Sequence, residues 1–195
     1  MKIVILSLAL ALLVLVPVTG QAATVDVGFD PTMTMVNGLN QTFTVDIVGN
    51  YNADAAESLV GGALSLSFDQ SIVNVNSVTL GVPTDIGSST GTIDNGAGTV
   101  DTMGFGTFAG VPSGPFTFAT IEFESVGFGT SPLGLTDPFD LIFAWANENF
   151  EAVPVNATAG SITVKDTAPV PLPAAGWLFL SGLGGLAALR RREVN

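Results

Sequence analysis

From residue 24 to residue 166, segment after segment places its apolar residues two apart. Thr42-Phe43-Thr44-Val45-Asp46-Ile47-Val48 puts Phe43, Val45 and Ile47 on one side. Ala63 to Asp69 does the same through Leu64, Leu66 and Phe68. Val73 to Leu80 follows, with a shift of phase at Ser77-Val78 that predicts a bulge. Ala119, Ile121 and Phe123 then alternate with Thr120, Glu122 and Glu124. A period of two is that of a strand with one face buried. Thr24 to Phe29, Gly98 to Thr102, Asp140 to Ala144 and Ser161 to Val164 are further candidate strands. Asn37-Gly38 and Asn95-Gly96 supply turns, and Gly61-Gly62, Gly81, Gly104, Gly127 and Gly129 punctuate the rest. No stretch has the length and apolar stripe of a globular helix. Eight or nine short strands in one domain predict an all-β fold, a β-sandwich.

The two ends break this rhythm with unbroken apolar runs. Met1-Lys2 precedes an apolar run from Ile3 to Val16, closed by Pro17 and a small-residue exit at Ala22-Ala23. That order describes a secretory signal helix over residues 1–23, cleaved after Ala22 or Ala23. At the other end, residues 167–173 form a Pro-spaced linker that should be extended. Ala174 to Leu189 is uncharged, Trp177 sits near its start, and Arg190, Arg191 and Arg192 follow. Residues 174–195 therefore predict a short transmembrane helix with an interfacial indole. The Arg triplet acts as a stop-transfer signal on the cytoplasmic side, leaving the sandwich outside.

The segment Val170-Pro171-Leu172-Pro173-Ala174, with its apolar run and Arg end, resembles the PEP-CTERM class of sorting signals in the V-P-L-P-A variant. It departs from the namesake motif in reading Pro171-Leu172-Pro173 rather than Pro-Glu-Pro. The resemblance implies recognition by an exosortase-type enzyme in the inner membrane, with Val170 to Ala174 as the processing region. It also implies a bacterium that makes extracellular polysaccharide, and a final address at the cell surface or in the matrix.

Charge narrows the partners. Sixteen acids and one base, Lys165, lie between Thr24 and Asp166, a net charge of −15. Such a domain repels nucleic acid and anionic lipid, and accommodates cations or neutral partners such as sugars. The chain has no Cys and no His. Disulfides, thiolate sites, Cys nucleophiles and His acid–base chemistry are thereby excluded.

Gly62 to Gly81, reading GALSLSFDQSIVNVNSVTLG, resembles the strand–turn–strand core of cohesin domains. Val36-Asn37-Gly38 before Gln41 to Asp46, Phe118 to Glu124 before Gly129-Thr130, and Asn156 to Val164 match the second, a late and the closing strand of that family. The resemblance implies a nine-stranded jelly-roll sandwich over residues 24–166, related to some carbohydrate-binding modules. It also implies a partner of the dockerin type, held through one sheet face.

Individual residues offer little chemistry. Asp69 reads as a cap on the turn Asp69-Gln70-Ser71. Glu122 and Glu124 leave one face of a strand, whereas a glycosidase needs carboxylates facing each other across a cleft. Asp85, Asp94 and Asp101 lie in a Gly-rich region and could hold Ca²⁺, although their spacing matches no calcium loop; no other cofactor is expected. Phe105, Phe108, Phe116, Phe118 and Trp145 are candidate ligand-contact aromatics. Phe116 and Phe118 have the opposite parity to Ile121 and Phe123, so one set would face away from the core of a regular strand. Alternatively the strand starts after Phe118, or crosses between sheets, and all are buried.

The expectation is a non-catalytic protein binding a protein module or an extracellular polysaccharide. The alternatives are a structural component of an exopolysaccharide matrix and, last, a polysaccharide hydrolase. Module binding predicts a flat exposed sheet face, and sugar binding a groove or patch with solvent-facing aromatics.

Overall fold

The computed structural model describes residues 22–54, 56–138 and 145–166. The signal helix, the Asp140 to Ala144 strand, the Pro-rich linker and the C-terminal helix lie outside the described residues, as do Val170 to Ala174 and Arg190 to Arg192. No described residue is helical.

Twelve strand segments follow one another: β1 (Thr24–Asp30), β2 (Met33–Asn37), β3 (Thr42–Asn52), β4 (Ser58–Ser67), β5 (Val73–Leu80), β6 (Gly87–Asp94), β7 (Thr99–Pro112), β8 (Gly114–Ser125), β9 (Gly129–Thr136), β10 (Ala146–Asn147), β11 (Val155–Ala157) and β12 (Gly160–Lys165). They form two sheets, in the orders β11-β1-β3-β8-β5 and β2-β12-β9-β4-β7-β6, with β10 added to the edge of β4. Twelve segments against an expected nine is largely a matter of crossing. The first strand passes from one sheet to the other as β1 and β2, and the last does so as β11 and β12. These two crossing strands run parallel and side by side, β1 beside β11 and β2 beside β12. Pro31, which has no N–H for a ladder, stands at the first crossover.

The period of two places the core. Val45 and Ile47 of β3 face inward with Ile121 and Phe123 of β8, and oppose Leu64, Leu66, Val100 and Met103 of the second sheet. Phe43 and Phe123 pair across β3 and β8 with rings stacked at 5.8 Å. The edge of Phe68 meets Phe123 at 6.2 Å. The bulge anticipated near Ser77 falls between Val75 and Ser77 of β5.

A second bulge resolves the parity of the β8 aromatics. Ile47 pairs with Ala119 but Val48 pairs with Thr117, so Phe118 is an extra residue in β8. The inserted residue flips the phase of the strand. Both sets of side chains then point between the sheets. Phe105, Phe118 and Trp145 are 6%, 0% and 2% exposed and form one aromatic cluster with Phe116. Phe105, Phe118 and Trp145 are therefore core residues and not ligand contacts, and Phe116 is partly buried against them. Phe108 alone of the five stands in solvent.

Candidate functional site

The two outer faces of the sandwich differ in kind. On the outside of the six-strand path, Gly61 of β4 pairs with Gly106 of β7, and Gly106 pairs with Gly87 of β6. The adjacent row is Ala63, Gly104 and Ser89. Two rows thus cross three neighbouring strands with almost no side chain, leaving a floor of main chain. Glycine inside a strand weakens it and often marks close approach by a ligand or another backbone. Steric need does not account for all of these glycines. A Cβ at Gly87 would meet nothing within 4 Å, and one at Gly106 would find its nearest neighbour, Ile86 Cβ, at an ordinary 3.6 Å. At Gly104, by contrast, a Cβ would press on Gly62 O at 3.1 Å and Ala63 Cβ at 3.2 Å. Among the described residues β6 closes this sheet with an unpaired outer edge, and it is exposed almost throughout.

Phe108 stands at one end of the floor, two residues beyond Gly106, and is 83% exposed. Asp85 fixes it there. The Asp85 carboxylate accepts from the Phe108 N–H at 2.8 Å and from the hydroxyl of buried Thr107. Thr107 Oγ1 in turn accepts from the Ala109 N–H at 3.0 Å. The Thr107 hydroxyl, followed by the Phe108 N–H, holds the Asp85 carboxyl below its ordinary value of 3.8. Asp85 is thus a main-chain anchor.

The other two calcium candidates are placed elsewhere. Asp94 caps its own turn, accepting from Gly96 N and Ala97 N at 2.8 and 2.9 Å. Asp101 lies opposite Thr92 on β7. Asp94 and Asp85 sit beside Thr99 and Phe108 respectively, about 25–30 Å apart along β7. The three acids therefore form no common site. Asp69 holds its turn as expected, accepting from the Ser71 hydroxyl and the Ser71 N–H at 2.6 and 2.9 Å. Those two bonds, the hydroxyl first, hold its carboxyl below the ordinary range.

The outer face of the five-stranded sheet is polar. Asp26, Asp46, Glu122 and Glu124 lie on it, the last two leaving the same side of β8. Asp46 accepts from Thr120 Oγ1 at 2.6 Å. Asp26 accepts from both Asn52 Nδ2 at 2.7 Å and Asn156 Nδ2 at 2.8 Å. An open depression of about 800 Å³ lies over β1, β3 and the start of β8. Sequence reasoning reached neither the glycine floor nor this depression. The interior strand glycines were the available signal for the first; for the second, the residues are too scattered along the chain.

No family model matches the chain, and no curated protein sequence does. Solved structures do. A type I cohesin from Pseudobacteroides cellulosolvens superposes with a TM-score of 0.54 at 20% identity, covering 77% of this chain and 97% of its own. A type I cohesin–dockerin complex from Clostridium thermocellum gives 0.56 at 13% identity, over 74% and 100%. A non-cellulosomal cohesin from the archaeon Archaeoglobus fulgidus gives 0.51 at 16%, over 74% and 92%. The described region has a cohesin-like β-sandwich fold.

Proposed function

We propose that this is a non-catalytic binding protein whose sandwich takes a protein module of the dockerin type on its glycine-floored face. The observation that carries this reading is the row Gly61, Gly106 and Gly87, bare across three strands where at least two of the three positions have room for a side chain. A partner's helix or strand can lie against such a floor, and Phe108 at its end offers a rigidly mounted apolar anchor. Cohesin–dockerin complexes among the solved neighbours support the class of partner. The chain reaches its partner by export through residues 1–23. It is held at the inner membrane by residues 174–195 until an exosortase-type enzyme acts at Val170 to Ala174, and it ends at the cell surface or in an exopolysaccharide matrix.

The test is capture of recombinant dockerin modules by the full chain and by its Gly106→Arg variant. Gly106 has room for a Cβ and no positive φ, so the variant should keep the parent's circular dichroism spectrum. A dockerin bound by the parent should bind the variant at least about tenfold more weakly, the loss of roughly 1.4 kcal/mol. Equal binding by both, or no dockerin retained at all, would remove the reading.

A further inference from the structure

We infer that the depression on the opposite, five-stranded face is a binding site for a neutral saccharide, separate from the proposed module face. Its floor is Gly28 and Val48, a register pair at the centre of the sheet, with Pro115 beside them. Its rim carries Asp30, Asn50, Thr117 and Thr158. At about 800 Å³ it falls within the range of small-molecule sites, roughly 300–1,000 Å³.

The lining decides the ligand by elimination. A peptide strand has no edge to join on β1 or β3 at the floor, because β1 is already paired to β11 and β3, and β3 to β8. An anion meets a domain of net charge −15. A divalent cation needs six or more oxygens. Both oxygens of Asp26 are occupied by the Asn52 and Asn156 amides, which leaves Asp30 as the depression's one uncommitted carboxylate. Among the described residues, no cluster of three or more potential ligands exists. A purely apolar ligand would leave the rim's polar atoms dry.

A sugar satisfies every part of the lining. Asn50 gives its Nδ2 to Asn52 Oδ1 at 2.5 Å, which fixes the amide and leaves its Oδ1 as an acceptor. The Asp30 carboxylate and the Thr117 and Thr158 hydroxyls have no side-chain partner among the described residues. These groups together accept from several hydroxyls, while Val48 and Pro115 cover the C–H face of a ring. The Asp26 bridge between β1, β3 and β11 holds the rim rigid, so little order has to be gained on binding.

The full chain would be titrated with neutral gluco-, manno- and galacto-hexasaccharides and, as a control, with a uronic-acid oligomer. At least one neutral hexasaccharide should bind, and the uronic-acid oligomer should not. Gly28→Leu fills the floor, and its Cβ would meet Thr158 Cβ at an ordinary 3.5 Å, so the strand accepts it. Asn50→Ala removes a rim acceptor and leaves the floor intact. Each should weaken binding at least about fivefold. Gly106→Arg should leave saccharide binding unchanged, while Gly28→Leu should leave dockerin binding unchanged, so either proposal can fail alone. No binding by any neutral hexasaccharide, preference for the uronic acid, or binding indifferent to both variants would overturn the assignment.

Discussion

Trp145 joins three parts of the chain that the sequence keeps far apart. Its ring meets Phe105 of β7 at 5.9 Å, Phe116 at 6.2 Å and Phe118 of β8 at 5.6 Å. Its Nε1–H donates to the Ala63 carbonyl of β4 at 2.9 Å, so the indole is buried without an orphaned donor. Gly62 is glycine for the same reason, since a Cβ there would lie 2.6 Å from the indole. Because the neighbouring rings are themselves trapped between sheets, they cannot close the hole left by truncation. Trp145→Ala should therefore lose about 3–5 kcal/mol of stability in urea titration followed by circular dichroism. Trp145→Phe should lose about 1–3 kcal/mol, chiefly from the unpaired Ala63 carbonyl. If Trp145→Phe costs nothing, the indole N–H has no part in holding β4.

At the scale of strands, what was legible depended on whether a strand has an inside. β3, β4, β5 and β8 alternate strongly and announce themselves, because each buries one face. β6 reads Gly-Ser-Ser-Thr-Gly-Thr-Ile-Asp and is exposed almost throughout, so it carries no periodic signal and forms through pairing with β7. β9 hides in a different way, since its inward residues include the buried Ser131, whose hydroxyl accepts from Asp69 N–H at 2.8 Å. β7 runs on to Pro112 through glycines that read as a loop. The parity of Phe116 and Phe118 was legible as a conflict but not as its solution, because a bulge is defined by the partner strand. The rigid mounting of Phe108 was equally invisible, since it needs Asp85 from beyond β6. Asp85→Ala should speed amide hydrogen exchange at Phe108 by roughly five- to tenfold at neutral pH, with the β-sheet spectrum unchanged. The pH dependence has a definite sign. The folded carboxyl titrates below 3.8, so the anchoring is complete above that value and is lost as pH falls through the lowered one. Unchanged exchange in the variant would mean that the loop holds itself.

Over the whole molecule the ends close the structure and the charge opposes it. β12 lies between β2 and β9 and pairs five residues with each, so the last described strand completes the second sheet and ties it to the first. Against this stands a net charge of −15 over residues 24–166, with one base to offset sixteen acids. Asp26, Asp46, Glu122 and Glu124 crowd a single sheet face, where their mutual repulsion is relieved in the unfolded chain. At 0.01 M ionic strength the screening length is about 30 Å, comparable to the domain itself, whereas above about 0.5 M it falls to a few ångströms. Salt should therefore stabilise this protein. Between 10 mM and 500 mM sodium chloride the thermal midpoint of the full chain at pH 7 should rise by roughly 3–5 °C, the shift that about 1 kcal/mol produces in a domain of this size. At pH 4, where ordinary carboxylates are partly protonated, the rise should shrink. A midpoint that falls with salt at pH 7, or a rise equally large at pH 4, would show that the acid surplus does not strain the fold. The acidity would then have to be explained through the partner alone.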